Sequence, residues 1–183
     1  PQHPTLGLVY FTDHFAPQAE ALYAALSAQW PGVQWAGTVG VGVCASGVEY
    51  FDEPALVVML TTLPPGRFDV FSGAQRWPSS VIQTALVHAD SQAPDVVDLI
   101  DTLADRTDGG YVFGGLSASR TRSCQIANGV LEGGLSGVAF PRDVAIVSRV
   151  TQGCQPVGPV RRVTACDRNV VISLDDAPAM QRL

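Results

Sequence analysis

The stretch LGLVYFTDHFAPQAEALYAALSAQW (Leu6 to Trp30) has a counterpart 78 positions further on, TALVHADSQAPDVVDLIDTLADRTD (Thr84 to Asp108), and the two align in pattern without a gap. Leu8 and Val9 fall on Leu86 and Val87, the helix-like Ala16 to Trp30 falls on Pro94 to Asp108, and Trp35-Ala36-Gly37 falls on Phe113-Gly114-Gly115. Each copy reads as an apolar strand (Leu6 to Phe11; Thr84 to Ala89), a polar turn, an amphipathic helix, and a second strand entering a glycine-rich segment. A further apolar strand closes each copy, Ala55 to Thr61 in one and Leu135 to Phe140 in the other. The predicted fold is α/β with α+β character: mixed, largely antiparallel sheets covered by helices. Its repeat units span about residues 6–63 and 84–142, and a closing hairpin segment follows over 143–183, all within a single domain. Two like units packed about a pseudo-two-fold axis place equivalent loops near one another or at opposite ends of a shared sheet, and a ligand cleft between the halves is expected.

Side-chain periodicity supports both helices. In the first, Leu22, Leu26 and Trp30 recur every fourth residue, with Thr12 or Asp13 as N-cap and Pro17 in the opening turn. In the second, Val96, Leu99, Ile100 and Leu103 form an apolar stripe, and Asp95, Asp98, Asp101 and Asp105 occupy the other faces. Those aspartates leave successive turns in different directions, so they read as a solvated face; a hard cation needs oxygens converging on one point. The linker from Leu63 to Ser80 is rich in Pro and Gly, and its Phe68, Val70 and Phe71 suggest an extra strand. Asp143 to Val150, Val157 to Cys166 and Asn169 to Leu174 read as strands, the last two joined by a turn at Asp167 and Arg168. Asp175-Asp176-Ala177-Pro178 is a helix-entry signal with few residues after it, from which a longer natural chain is expected.

Composition narrows the chemistry. With 46% apolar and 15% charged residues, the chain can bury a substantial core and has no segment of disordered character. All eleven cationic side chains are Arg and the net charge is −6, which removes lysine Schiff bases and Walker-type phosphate loops and argues against a nucleic-acid partner. Apolar runs are too short and too interrupted for a membrane span. Cys44, Cys124, Cys154 and Cys166 show neither C-x-x-C nor C-x-x-C-H spacing, so nothing reads as a zinc ribbon or a haem attachment motif. A cytoplasmic protein with reduced thiols is expected.

Between Val150 and Cys166 the sequence VTQGCQPVGPVRRVTAC places Cys154 and Gln155 among two glycines and two prolines, the composition of a shaped loop. Together with Gly37-Thr38-Val39-Gly40-Val41-Gly42-Val43-Cys44 and Phe113-Gly114-Gly115-Leu116-Ser117-Ala118, in that order, this string resembles the N-terminal part of a FIST domain. The closing Leu174-Asp175-Asp176-Ala177-Pro178-Ala179 is similar to the junction with that family's C-terminal part, which is expected to be absent from this sequence. The resemblance implies a sensory, small-ligand-binding domain of bacterial signalling, with an amino acid or derivative as ligand and a signalling partner such as a histidine kinase. It also implies, for a subset of such proteins, haem-bound nitric-oxide sensing.

Four groups of residues are candidates for that role. The loop from Gly40 to Tyr50 offers Gly40 and Gly42 for close backbone approach to an anion, with Ser46, Glu49 and Tyr50 as polar groups; a glycine-rich bulge reads the same way. The matching loop offers Gly114, Gly115 and Ser117, with Arg120 and Arg122 as a carboxylate or phosphate clamp or as solvated surface charges. Cys154 and Gln155 form the third group, with Cys44 and Cys124 in matching loops; Cys166 reads as an ordinary buried core thiol. Among the histidines, His88 lies in the second unit's first strand where the first unit has Tyr10, the better position for an axial ligand should haem be bound, although no cofactor is required by the residues. Enzyme chemistry through a Cys154 nucleophile with His14 or His88 as base has no supporting local signature.

Overall fold

A computed structural model of the chain describes residues 3–73, 77–78, 82–149 and 155–182. In chain order its elements are β1 (Leu6–Thr12), α1 (Ala19–Gln29), β2 (Gln34–Gly40), β3 (Gly42–Ala45), β4 (Val48–Phe51), β5 (Leu56–Thr61) and β6 (Asp69–Ser72). These are followed by β7 (Ile82–Asp90), α2 (Val96–Ala104), β8 (Thr107–Ser117), β9 (Gln125–Ala127), β10 (Val130–Leu131) and β11 (Leu135–Phe140). The last strands are β12 (Val163–Asp167), β13 (Val170–Leu174) and β14 (Ala177–Pro178). Residues 1–148 and 149–183 form two compact units.

In the first unit, β1 pairs in parallel with β2 and antiparallel with β5, and β7 pairs in parallel with β8 and antiparallel with β11. Parallel neighbours require a crossover connection, which α1 and α2 supply. Each three-strand set therefore has its first strand at the centre. Strands from elsewhere extend the two sheets, β9 and β10 beyond β2 and the linker strand β6 beyond β11, giving the orders β10-β9-β2-β1-β5 and β6-β11-β7-β8.

Strand alternation distributes the apolar residues over three layers. Val9 and Phe11 of β1 pack with Ala19 and Leu26 under α1. Ala85, Val87 and Ala89 of β7 pack with Leu103 of α2. Leu6 and Leu8 instead join Phe68, Val70, Val138 and Phe140, with Leu86 packed alongside, in a core between the two sheets. The order is helix, sheet, sheet, helix. Leu22 and Trp30 of the first predicted stripe and Val96, Leu99 and Ile100 of the second do pack against their sheets.

Several local expectations are corrected. The first helical segment opens as a 3₁₀ turn over Asp13–Gln18, and the α-helix begins only at Ala19, after Pro17. Thr12 does not cap it: its hydroxyl donates to the Glu53 carbonyl at 2.8 Å and accepts from the Ala55 N–H at 3.0 Å. Residues 143–149 form no strand; Tyr111 Oη donates to the Ile146 carbonyl at 3.2 Å, so a side chain holds this segment where a ladder was expected. In the second unit β12 and β13 form the expected hairpin, but its turn is Arg168 and Asn169 instead of Asp167 and Arg168, the strand begins at Val163, and Val157 and Val160 are fully exposed. The predicted C-terminal helix is instead a turn into β14 followed by a 3₁₀ turn, Ala179–Gln181. Asp175 and Asp176 both have positive φ, and the Asp175 carboxylate accepts the Arg162 N–H at 3.0 Å, so these acids shape a turn. Cys166 is exposed on β12, a strand exposed along its whole length, and is not a core thiol.

Candidate functional site

The inter-sheet layer changes character along its length. One end is the aliphatic and aromatic core just described; the other is polar. Tyr10, Thr38 and Gln125 are successive neighbours across the first sheet, and His88 and Ser136 are neighbours in the second. Hydrogen bonds join the two rows: Tyr10 Oη to His88 Nε2 at 3.0 Å, Thr38 Oγ1 to Ser117 Oγ at 2.6 Å, and Ser136 Oγ donating to Gln125 Oε1 at 2.5 Å. His88, Ser117, Gln125 and Ser136 are all buried. Buried polar groups carry a desolvation penalty unless paired, and here nearly all are. The exception is His88 Nδ1, which has no hydrogen-bond partner among the described residues. Burial holds the His88 imidazole down at about 4 and pushes the Tyr10 phenol up, so both are neutral near pH 7.

Tyr10 and Thr38 also line an open groove of about 450 Å³. The segment from Gly40 to Cys44 forms one side, with Val41 and Val43 contributing apolar surface; Leu116 and Ala118, at the end of β8, form the other. Gly42 has no room for a larger residue without movement, because a Cβ there would lie 2.7 Å from the Phe51 ring. Beyond it, β3 and β4 form a hairpin whose two-residue turn, Ser46 and Gly47, takes positive φ at both positions, the twist that suits antiparallel strands. Glu49 and Tyr50 lie on that hairpin and line a second depression of about 260 Å³ with Cys44.

Both candidate arginines have internal partners. Arg120 donates from Nε and Nη2 to the two carboxylate oxygens of Asp13, each at 2.9 Å, adds a backbone N–H at 2.9 Å, and reaches Asp52 as well. The Asp13 side chain is 4% exposed; the Arg120 hydrogen bonds hold its carboxyl well below the usual range despite burial. Arg122 is paired with Glu20 at 2.6 Å and Glu132 at 2.6 Å. The two guanidinium groups pin the loop after β8 to the first helical segment.

Of the remaining sequence candidates, Gly114 has φ of 146° and a Cβ there would fall 1.9 Å from the Val87 carbonyl oxygen, so its role is close strand approach; Gly115 is open on all sides. Cys124 is fully buried and its thiol is pushed up to about 11 by burial, whereas Cys44 is exposed. Cys154 lies outside the described residues, and Gln155 is exposed in the second unit. His88, the candidate axial haem ligand, is buried with its Nε2 engaged by Tyr10 at 3.0 Å. Among the described residues no three His, Cys, Asp or Glu side chains converge as a metal site. The paired row itself was missed by sequence reasoning. Its signal was present in the inward parity of Tyr10, Thr38 and His88, but Gln125 and Ser136 come from strands whose pairing only the fold reveals.

Residues 5–177 match the FIST N domain family, and the chain belongs to it, a class of sensory small-ligand-binding domains. The chain is 28% identical over 207 residues to the uncharacterized protein MT0656 of Mycobacterium tuberculosis strain CDC 1551 / Oshkosh, an alignment that covers 98% of this chain and 50% of that protein. It is equally similar to the uncharacterized protein Rv0628c of strain ATCC 25618 / H37Rv, with the same coverage. The chain thus spans about half the length of these curated relatives. No helix among the described residues is long and apolar enough to cross a membrane.

Proposed function

We propose that this chain senses a small molecule held in the groove between Gly40–Cys44 and the Leu116–Ala118 end of β8. The observation that carries this reading is the meeting of the groove with the polar row: Tyr10 and Thr38 line the one and, through His88 and Ser117, link the two sheets in the other. A ligand held between these hydroxyls and Leu116 and Ala118 touches both halves of the first unit. In this reading Gly40, Gly42 and Ser117 shape the site, Gly114 and Gly115 set the path of β8 into it, and Ser46, Glu49 and Tyr50 form the hairpin beside it. Arg120 and Arg122 act by fixing the loop that carries Ala118. In this reading the ligand is an amino acid or derivative, the chain works in the cytoplasm, and a downstream partner such as a histidine kinase receives the signal.

A thermal-shift screen of amino acids and their derivatives tests the reading. Ala118 is exposed at the groove edge, so Ala118→Trp fills the groove without disturbing the core. A ligand that raises the melting temperature of the parent by about 2 °C or more should leave the variant unmoved. Equal stabilisation of both proteins would place the ligand elsewhere.

A further inference from the structure

We infer that the groove selects an uncharged, largely apolar small molecule bearing a neutral hydrogen-bonding group such as an amide, and discriminates against carboxylates. This inference rests on the groove reading above and narrows its amino acid or derivative to derivatives whose charges are masked.

The groove has apolar walls: Val41, Val43, Leu116, Ala118 and the Tyr10 ring. None of its lining residues is Asp, Glu, Arg or His. The side-chain hydroxyls it offers belong to Tyr10 and Thr38, and burial keeps the Tyr10 phenol neutral. The sequence suggested Arg120 and Arg122 as a carboxylate clamp. Arg120 is taken up by Asp13 and Asp52, and Arg122 by Glu20 and Glu132. To release Arg120 for a ligand would strand the buried Asp13 carboxylate. A ligand carboxylate entering the groove would therefore surrender hydration without gaining a cation, whereas an amide loses far less and can be satisfied by a hydroxyl. The volume, about 450 Å³, suits a body of small-molecule size. His88 adds a second, independent sign: its unpartnered, buried Nδ1 sits on the ring bonded to Tyr10, so the polar point of the groove is backed by a neutral imidazole and not by a charge.

Matched pairs differing only in charge test this directly: phenylacetamide against phenylacetate, and isovaleramide against isovalerate, titrated into the protein at pH 7.5 and followed by chemical-shift perturbation. The amide of each pair is expected to bind about tenfold tighter or better, and Ala118→Trp should abolish its binding. Ala118→Arg places a guanidinium at the groove edge and should reverse the preference toward the carboxylate. A parent protein that binds the carboxylates as tightly as the amides, in an interaction lost in Ala118→Trp, would overturn the neutral-ligand inference while leaving the groove as the binding site. Binding that survives in Ala118→Trp, or the failure of every probe to bind the parent, would overturn the groove reading and this inference with it.

Discussion

Tyr10 and His88 are hydrogen-bonded to each other, Oη to Nε2 at 3.0 Å with the rings edge-on, and they stand 78 positions apart, the same spacing that relates the two strand-helix-strand segments. The contact joins β1 of one sheet to β7 of the other, across the layer between them.

The pair gives stability a defined pH dependence. The unfolded chain takes up the His88 proton near 6.5, while the folded chain takes it up only near 4. Between those values the unfolded state binds more protons, so stability is full above about pH 6.5, falls as pH drops, and levels off below 4. The loss is about 3 kcal/mol. Urea denaturation at pH 7.5, 5.5 and 4 should show the decline, and His88→Gln should flatten it.

Gly114 and Gly115 are adjacent yet should respond differently to alanine. A Cβ at Gly114 meets the backbone of β7, which cannot swing aside, whereas Gly115 faces open space. Gly114→Ala should cost about 3 kcal/mol or more and Gly115→Ala less than about 0.5 kcal/mol. Chemical denaturation of the two variants checks the contrast; similar midpoints would mean that β8 does not approach β7 as closely as found here.

Arg120 and Asp13 should be strongly coupled. Arg120→Ala leaves a buried carboxylate without its partner and should lower the melting temperature more than Asp13→Asn does, while the double variant should recover part of the loss. Because the Asp13 carboxyl is held below its ordinary value of 3.8, its contribution is present above about pH 4 and disappears below it. Calorimetry on the four proteins at pH 7 and pH 3 separates this from the His88 transition, which lies higher.

The thiols divide by burial. In a Cys154→Ser background, Cys44 and Cys166 should react with a disulfide reagent within seconds to minutes. Cys124, fully buried and pushed up to about 11, should react only after denaturation. Fast modification of three thiols in the native protein would contradict the packing of Cys124 under α1.

The strands and helices of the first unit were legible because apolar periodicity is local: Leu6 to Phe11, Leu135 to Phe140 and the Leu22-Leu26-Trp30 stripe announce themselves without reference to the rest of the chain. The errors fell where local signals have two outcomes. Asp175-Asp176 before a proline can cap a helix or make a left-handed turn, and pairing with Arg161 and Arg162 selected the turn. Alternation over 143–149 becomes a strand only if a ladder edge accepts it.

By itself the sequence determined the two strand-helix-strand segments, the glycine-rich turns that follow them, and the family, since all three are written in contiguous residues. Tertiary structure alone decided that Arg120 and Arg122 answer internal carboxylates, that His88 meets Tyr10, and that Gln125 completes a polar row beneath an uncharged groove. The reason is physical: a side chain's chemistry is fixed by its type, but its availability depends on partners brought to it by strand order, and strand order couples residues more than a hundred positions apart.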